Sequence, residues 1–151
     1  MANIDLTLLK KLREATAASV SDCRRALDEC EGNYDKALEW LKKRAAEKAE
    51  KKADREAGEG IIEPYIHGNG KIGVLVELLC ETDFVARTDE FKKLGHEIAM
   101  QVAAMNPENV EELLKQEYIK DTSTTIEGLI KQAIGTIGEN IILKKFVRLS
   151  I

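Results

Sequence analysis

Residues 72–79 read IGVLVELL, an almost unbroken apolar run in which only Glu77 carries a charge. Such a run predicts a strand that is covered on both faces, because a strand with one wet face alternates apolar and polar residues. Asn69-Gly70 precedes it and favours a two-residue hairpin turn with positive φ. The strand before the turn contains Pro64, which has no amide donor, so it is predicted to be an edge strand or to be bulged.

The C-terminal half predicts a third strand, within the closing sequence IILKKFVRLSI, and helices before it. Thr88 is a predicted N-cap. The apolar stripe of the helix after it comprises Phe91, Leu94, Ile98, Val102 and Met105. A short helix restarts at Asn106-Pro107, and Thr124 with Glu127 forms a predicted capping box for a helix that Gly138 ends. The fold class is therefore α+β, a three-stranded antiparallel sheet with helices on one side.

The first 45 residues contain three short amphipathic helical patterns. Their apolar positions are Ile4, Leu8, Leu9 and Leu12, then Val20, Cys23, Leu27 and Cys30, then Tyr34, Ala37, Leu38 and Leu41. Asn33 is a predicted N-cap for the third helix. Three helices of this length enclose a very small core, so this three-helix domain should be marginally stable when cut out.

Residues 42–56, KKRAAEKAEKKADRE, have high helix propensity and no apolar side chain larger than alanine. They predict a charged, solvated helical linker that Gly58 and Gly60 end. We expect domains at 1–45 and 59–151 with a linker at 46–58. An RNA-binding helix is less favoured, because acidic residues are interleaved with the basic ones and no aromatic side chain offers a stacking surface.

The net charge is −4, and the acidic excess lies in the C-terminal part. Binding to nucleic acid needs a basic patch, so a protein partner fits better than direct contact with nucleic acid. No apolar run approaches the roughly 18–20 residues that cross a bilayer. The start, MANIDLTLLKKLRE, contains acidic residues too early for a signal peptide. We expect a cytoplasmic protein without membrane contact.

No catalytic or metal-binding pattern stands out. Cys23, Cys30 and Cys80 form no CxxC pair and have no clustered histidines nearby, so reduced thiols are predicted rather than a zinc site. The segment HGNGKIG lacks the spacing of a phosphate-binding loop. His67 and His96 are isolated in sequence. Cys80 is a conceivable nucleophile, but a cysteine at a strand end more often packs in the core.

The stretch TDFVAR, residues 82–87, places Phe84 where a polar turn is expected. In one interpretation the ring folds back under the helix that begins near Thr88. In the other it is exposed and anchors a partner protein, because Phe91 and Leu94 already fill the neighbouring stripe and the flanking residues are polar. The residues alone leave both interpretations open.

Several motifs together resemble the elongation factor Ts family over nearly the full length of the chain. They are LRE at 12–14, DCRRAL at 22–27, KALEWL at 36–41, GVLVELLCETDFVAR at 73–87 and IGENI at 137–141, before the strand with Lys144, Lys145 and Phe146. TDFVAR after an apolar strand, with DCRRAL upstream and IGEN downstream, is highly specific. The resemblance implies an N-terminal lobe similar to ubiquitin-associated domains, a linker and an α+β core.

The resemblance also implies a function: guanine nucleotide exchange on elongation factor Tu, without covalent chemistry. In this family the aspartate and phenylalanine of the TDF motif insert between two helices of the GTPase. Asp83 and Phe84, flanked by Thr82 and Val85, are therefore the predicted partner-binding residues. The insertion disturbs the elements that hold Mg²⁺ and the diphosphate, which weakens GDP binding. GDP, GTP and Mg²⁺ belong to the partner, and no cofactor is expected on this chain.

Further partner contacts follow residue by residue from the resemblance. The family positions at which the N-terminal lobe meets the GTPase are occupied here by Lys10, Arg13, Val20 and Arg24. Ile137 and Gly138 match a further contact near the sheet. Two departures from the family put the shape of the N-terminal interface in doubt: residues 17–19, Ala-Ala-Ser, replace a glycine-rich turn, and Ser21 replaces an apolar contact residue.

The chain is also shorter than many relatives. Those relatives carry two copies of the core half, or one copy with a longer helical stretch before the segment that corresponds to residues 119–121, IKD. With helices for only one face, the other face of the sheet would be wet. Relatives pair two such sheets, within one chain or between two chains, so a two-fold homodimer is expected. In that dimer, His67 of the second protomer is expected to meet the far domain of the partner.

Two alternatives belong to other functional classes. A ubiquitin-associated-like adaptor or ribosome-associated RNA-binding module would use the first lobe and the basic linker, and predicts salt-sensitive RNA binding without any effect on GDP release. An enzyme that uses Cys80 predicts loss of activity on alkylation of the thiol.

Overall fold

The computed structural model describes residues 5–151 and has the predicted α+β fold class. Its elements are, in order, α1 (Leu6–Thr16), α2 (Val20–Glu29), α3 (Tyr34–Glu50), β1 (Glu59–His67), β2 (Ile72–Cys80), α4 (Asp83–Ala86), α5 (Asp89–Met105), α6 (Val110–Lys115), β3 (Glu117–Tyr118), β4 (Asp121–Thr125), α7 (Ile126–Ile137) and β5 (Ile142–Ser150). No helix within residues 5–151 combines the length and the apolarity needed to cross a membrane.

The main sheet is antiparallel, with strand order β1-β2-β5. Pro64 lies on the edge strand β1, as its missing amide donor requires. The prediction of a two-residue turn at Asn69-Gly70 is wrong. His67 pairs with Ile72, so the connection has four residues, and the positive φ angles belong to Gly68 and Gly70.

The core of the main sheet lies on one face only. On β2, Val74, Val76, Leu78 and Cys80 are buried and pack with apolar residues of α5 and α7. The opposite face of β2 is partly open to solvent, and Leu75 on it is 49% exposed. The prediction that β2 is covered on both faces therefore does not hold within the described residues of a single chain.

The N-terminal lobe is built from three capped helices. The side chains of Asp5, Ser19 and Asn33 each accept a hydrogen bond from the first turn of α1, α2 and α3. Its core comprises Leu12, Cys23, Ala26, Leu27, Ala37 and Leu41. Ile4 of the first predicted stripe lies outside the described residues. Cys30 is the C-cap of α2 and half-buried, and all three cysteines are free thiols.

The prediction of a solvated linker at 42–56 is wrong for its first part. Helix α3 continues to Glu50 and packs against α7, so its alanine face is covered. Gly135 of α7 makes this approach possible, since a Cβ there would lie 3.1 Å from the Cβ of Ala45. Ala49 is buried in the same core as the sheet. The N-terminal lobe therefore meets the core along a helix pair.

Two details of the C-terminal half differ from the predictions. The N-cap of α7 is Thr125, which accepts from the Gly128 amide, rather than Thr124. A second sheet, β3-β4, was not predicted, and the fully buried Gln101 holds it. The Gln101 amide donates to the Glu117 carbonyl at 3.0 Å and its oxygen accepts from the Ile119 amide at 3.0 Å. Two-residue strands carry little β signal in the sequence.

Candidate functional site

The predicted polar turn after β2 is a one-turn helix, α4, which we describe together with its caps as the exposed turn, residues 82–87. Thr82 has extended backbone angles and its side chain accepts from the Val85 amide, so it is the N-cap. Thr88 donates its hydroxyl hydrogen to the Val85 carbonyl at 2.7 Å and caps α5. Two helix caps in close succession fix the backbone on both sides of the turn.

Phe84 points away from the protein and is 77% exposed. Ala86 is buried, and Val85 packs against the main core. The interpretation in which the Phe84 ring folds under α5 is therefore excluded for this chain. An apolar side chain exposed on a fixed turn is available to a partner surface.

Asp83 forms an ion pair with Arg87, in which Arg87 Nη2 donates to Asp83 Oδ2 at 2.8 Å. Their side chains retain 46% and 77% of their exposure, so the pair is a surface one and contributes at most about 1 kcal/mol to stability. Both groups can exchange this pairing for contacts with a partner at little cost.

Glu139, which immediately follows the C-cap of α7, holds the start of the exposed turn. Its Oε2 accepts from the Glu81 amide at 3.0 Å and the Thr82 amide at 3.1 Å, and its Oε1 accepts from the Thr82 hydroxyl at 2.6 Å. We call these three hydrogen bonds the Glu139 bridge. In return, Glu81 Oε1 accepts from the Asn140 amide at 2.7 Å.

Asn140 extends this network to the end of the α3 region. It is 4% exposed, and its side-chain amide donates to the carbonyls of Ala53 at 3.4 Å and Arg55 at 2.8 Å. Sequence reasoning missed the roles of Glu139 and Asn140, although the IGEN motif contains both. The sequence does contain a signal for these roles. Glu139 and Asn140 directly follow Gly138, which ends α7, and backbone groups near a helix end need hydrogen-bond partners.

The structure brings part of the predicted N-terminal set next to the exposed turn. An open groove of about 700 Å³ lies between α1, the first turn of α5 and the end of α7. Its lining residues are Lys10, Arg13, Glu14, Ala17, Asp89, Glu90, Lys93 and Thr136. Asp89 is two residues beyond the exposed turn. Three segments that are distant in sequence thus border one concave surface.

Val20 and Arg24 lie one turn apart on α2, and both are exposed. They are absent from the residues that line this groove. The turn before α2 contains a strained residue and a close pair of hydroxyl groups. Ala17 caps α1 with φ 53°, the left-handed conformation that a glycine adopts without strain, and Ser21 Oγ lies 3.0 Å from Ser19 Oγ.

Ile137 and Gly138 precede the Glu139 bridge and so lie close to the exposed turn. Ile137 is half-buried against the core, and Gly138 ends α7 with φ 90°. His67 lies elsewhere, at the hairpin end of β1. Since His67 pairs with the first residue of β2 and the exposed turn follows its last, they are roughly 25 Å apart within one chain. The His67 ring nitrogen Nδ1 lies 3.0 Å from the Tyr65 hydroxyl.

The described residues contain no group of three or more histidine, cysteine or carboxylate side chains that could hold a metal ion. Burial raises the pKa of the Cys80 thiol, and the nearby Glu139 carboxylate adds to this effect. Its Sγ donates to the Thr82 carbonyl at 3.1 Å. A nucleophilic cysteine needs a lowered pKa, so this thiol is better suited to packing than to catalysis.

Comparison with known proteins identifies the family. A family model described as Elongation factor TS matches residues 81–151, a range that begins one residue before the exposed turn. The chain is 40% identical over 197 positions to elongation factor Ts of Synechocystis, covering all of this chain and 90% of that protein. It is 42% identical over 193 positions to elongation factor Ts of Fervidobacterium nodosum, covering 98% of both.

A third relative, elongation factor Ts of Nostoc, is 44% identical over 151 positions. The match covers all of this chain and 48% of that protein. The longer alignments exceed the 151 residues of this chain, so those relatives contain residues without a counterpart here. Identity of this level over nearly the whole of both proteins leaves one assignment: the chain belongs to the elongation factor Ts family.

Proposed function

We propose that this chain is a cytoplasmic guanine nucleotide exchange factor that binds elongation factor Tu and accelerates GDP release. The observation that carries the proposal is the exposed Phe84, held on a capped turn beside a concave groove. Family membership supports the choice of partner. Asp83 and Phe84 insert between elements of the GTPase, and Thr82 and Val85 fix the turn that presents them.

Covering an exposed aromatic ring with a partner surface is favourable, because apolar area is removed from water. Aromatic anchors that enter a partner's pocket contribute about 2 kcal/mol or more to binding. The backbone of the exposed turn is ordered before binding by the Thr82 and Thr88 caps. Less conformational entropy is then lost on association, which favours an anchor at this place.

The chemistry of exchange resides in the partner. The GTPase holds the nucleotide and Mg²⁺, and the metal neutralises phosphate charge. An inserted side chain that moves the metal-holding elements weakens GDP binding. Because such coupling is reciprocal, nucleotide binding must equally weaken the complex, which releases the factor. This chain makes or breaks no covalent bond.

Two further surfaces extend the proposed interface. Lys10 and Arg13 line the groove beside the exposed turn, and exposed Val20 and Arg24 continue the N-terminal surface. Ile137 and Gly138 supply contacts next to the Glu139 bridge. The left-handed Ala17 shapes the turn between the two helices that carry the N-terminal set.

The test is release of fluorescent GDP from elongation factor Tu. Phe84→Ala is expected to slow release at least tenfold, because the loss of about 2 kcal/mol of anchor contact corresponds to a factor of roughly thirty. Asp83→Ala should slow it less. The matched control is Met105→Ala, since Met105 is exposed and lies at the opposite end of α5. All three proteins should keep the wild-type melting temperature within about 2 °C, as surface substitutions do.

An unchanged release rate with Phe84→Ala would contradict the proposed site. A wild-type chain that does not accelerate GDP release at all would contradict the function itself. If Phe84→Ala and Met105→Ala slow release equally, the effect is unspecific and the anchor role is wrong.

We also propose a two-fold homodimer through the open face of the main sheet. The exposed apolar side chains on this face are Ile62, Ile66, Leu75, Ile142, Val147 and Leu149. The strand register aligns Pro64, Leu75 and Val147 in one row across all three strands. Paired sheets would cover this face, and GTPase contact by both protomers would let His67 of the second protomer reach the far domain of the partner.

Sedimentation equilibrium tests the dimer. Leu75→Glu places a charge at the centre of the face and is expected to give a monomer of 16.8 kDa at micromolar concentration. Met105→Glu is the control, because Met105 and Leu75 are both 49% exposed. A wild-type chain that is already monomeric would refute the dimer. His67→Ala tests the second claim, which fails if the dimeric variant binds elongation factor Tu with unaltered affinity.

The RNA-binding alternative has less support from the structure. Of the basic residues on α3, Lys48 is paired with Asp22 at 2.8 Å and Lys42 donates to Ser123. Arg44, Lys42 and Lys48 are all half-buried at the junction with α7, so they form no continuous exposed stripe for a phosphate backbone.

A further inference from the structure

The carboxylate of Glu139 forms its hydrogen bonds with a distant segment of the chain rather than with the end of α7, which it follows. It follows the Gly138 cap of α7, yet all three of its hydrogen bonds go to residues 81 and 82, which are more than 50 positions away in sequence. These residues connect the end of the central strand to the exposed turn. The bridge therefore fixes the point at which the chain leaves the sheet and starts the turn.

The donors in this bridge are groups that the fold would otherwise leave unpaired. The Glu81 and Thr82 amides lie between the strand ladder and the helical turn, where neither element supplies an acceptor. A carboxylate accepts both on one oxygen and the Thr82 hydroxyl on the other. Because Thr82 Oγ1 also accepts from the Val85 amide, the bridge orients the cap of the turn that carries Phe84.

We propose that Glu139 is a positioning residue for nucleotide exchange: it holds the exposed turn in the conformation in which Asp83 and Phe84 enter the GTPase. This inference rests on the function proposed above. Glu139 contacts neither nucleotide nor GTPase in this role and acts through Phe84. The bridge also joins the exposed turn to the contact at Ile137 and Gly138, so the two surfaces move as one unit.

The first experiment uses the free chain and does not depend on the partner. Glu139→Ala removes all three acceptors, and hydrogen exchange of the Glu81 and Thr82 amides, followed by NMR, should accelerate about tenfold or more. Glu139→Gln keeps the side-chain size and one acceptor oxygen. In this variant the Glu81 and Thr82 amides should exchange at rates between those of the wild type and Glu139→Ala. Glu127→Ala is the control on α7, since Glu127 is exposed and pairs with Lys131 on the surface.

The second experiment measures GDP release from elongation factor Tu at several concentrations of the factor. Glu139→Ala is expected to raise the concentration for half-maximal release about tenfold, because the turn must now be ordered during binding. The maximal rate should change less. Glu139→Gln should recover part of the loss. In the Phe84→Ala background, Glu139→Ala should have almost no further effect, because both residues act through the same turn.

Three outcomes would overturn the inference. In the first, the Glu81 and Thr82 amides of Glu139→Ala keep their wild-type protection from hydrogen exchange. In the second, that protection is lost but Glu139→Ala still releases GDP from elongation factor Tu as the wild type does. In the third, the effects of Glu139→Ala and Phe84→Ala on GDP release multiply in the double variant. Failure of the proposed function gives a different result, in which neither wild type nor any variant accelerates GDP release while the amide protection still responds to Glu139.

Discussion

Gly60 is the position at which a single methyl group should damage the fold most clearly. It lies on β1 opposite Leu79 of the central strand, with φ +155°. A Cβ at Gly60 would lie 2.2 Å from the Leu78 carbonyl oxygen and 2.8 Å from Leu79 Cα, both backbone atoms of β2. These atoms cannot rotate away, so Gly60→Ala must separate the strands near the end of β2 that leads into the exposed turn.

The chain has two ways to accommodate the added methyl group, and each lowers the free energy of unfolding. Keeping a non-glycine residue in this backbone region costs about 1–3 kcal/mol. Moving the edge strand away instead loses about two ladder hydrogen bonds at roughly 1 kcal/mol each and part of the burial of Ile61. We expect destabilisation of about 3 kcal/mol, and a melting temperature lower by about 6–12 °C for a chain of this size.

Thermal and urea unfolding, followed by far-ultraviolet circular dichroism, measure this effect. Trp40 is the sole tryptophan and lies in the N-terminal lobe, so its fluorescence reports separately on that lobe. Gly58→Ala is the matched control, because a Cβ at Gly58 meets nothing within 4 Å. It should change stability by less than about 0.5 kcal/mol. Equal midpoints for the two variants would refute the close approach of β1 to β2 at Gly60.

Two further predictions concern the N-terminal turn and high pH. Ala17→Gly should stabilise the chain by about 0.5–1 kcal/mol, because relief of the left-handed Ala17 outweighs the added entropy of the unfolded glycine, and a lower urea midpoint would contradict this. Burial and the hydrogen bond to Glu97 raise the pKa of Tyr118 above the ordinary value of 10.0. The neutral phenol therefore contributes stability that is fully present below pH 10 and lost as the pH rises toward the folded-state value. Urea unfolding of the wild type and Tyr118→Phe between about pH 10 and 11.5 tests this. The free energy of unfolding of the wild type should fall by up to about 1.4 kcal/mol per pH unit more than that of Tyr118→Phe. Equal losses in both proteins would refute the reasoning.

Much of the fold followed from local patterns. The edge position of Pro64 and the caps at Asn33 and Thr88 were predicted correctly, because each depends on one backbone donor or on the first turn of one helix. The N-cap of α7 was misplaced by one residue, since Thr124 and Thr125 are both competent caps. The hairpin turn was wrong because Gly68 as well as Gly70 adopts positive φ.

The candidate site was predictable only in part. The polar flank and the family resemblance both directed attention to Asp83 and Phe84, but the periodicity could not decide whether the ring was buried. Lys42 to Glu56 was interpreted as solvated because its largest apolar side chain is alanine. A helix pair with Gly135 opposite Ala45 buries that alanine face, and small residues favour such close approach without leaving a strong apolar pattern in the sequence.

By itself, the sequence determined the fold class, the caps at Asn33 and Thr88 and the three strands of the main sheet, because side-chain periodicity and backbone donors act over a few residues. Only the tertiary structure decided that Phe84 is exposed, that one face of the sheet is open and that the N-terminal lobe packs on α7. It alone brought Glu139 to the Thr82 amide across 57 positions of sequence. Contacts of that range depend on how the elements pack together, which no local pattern of residues records.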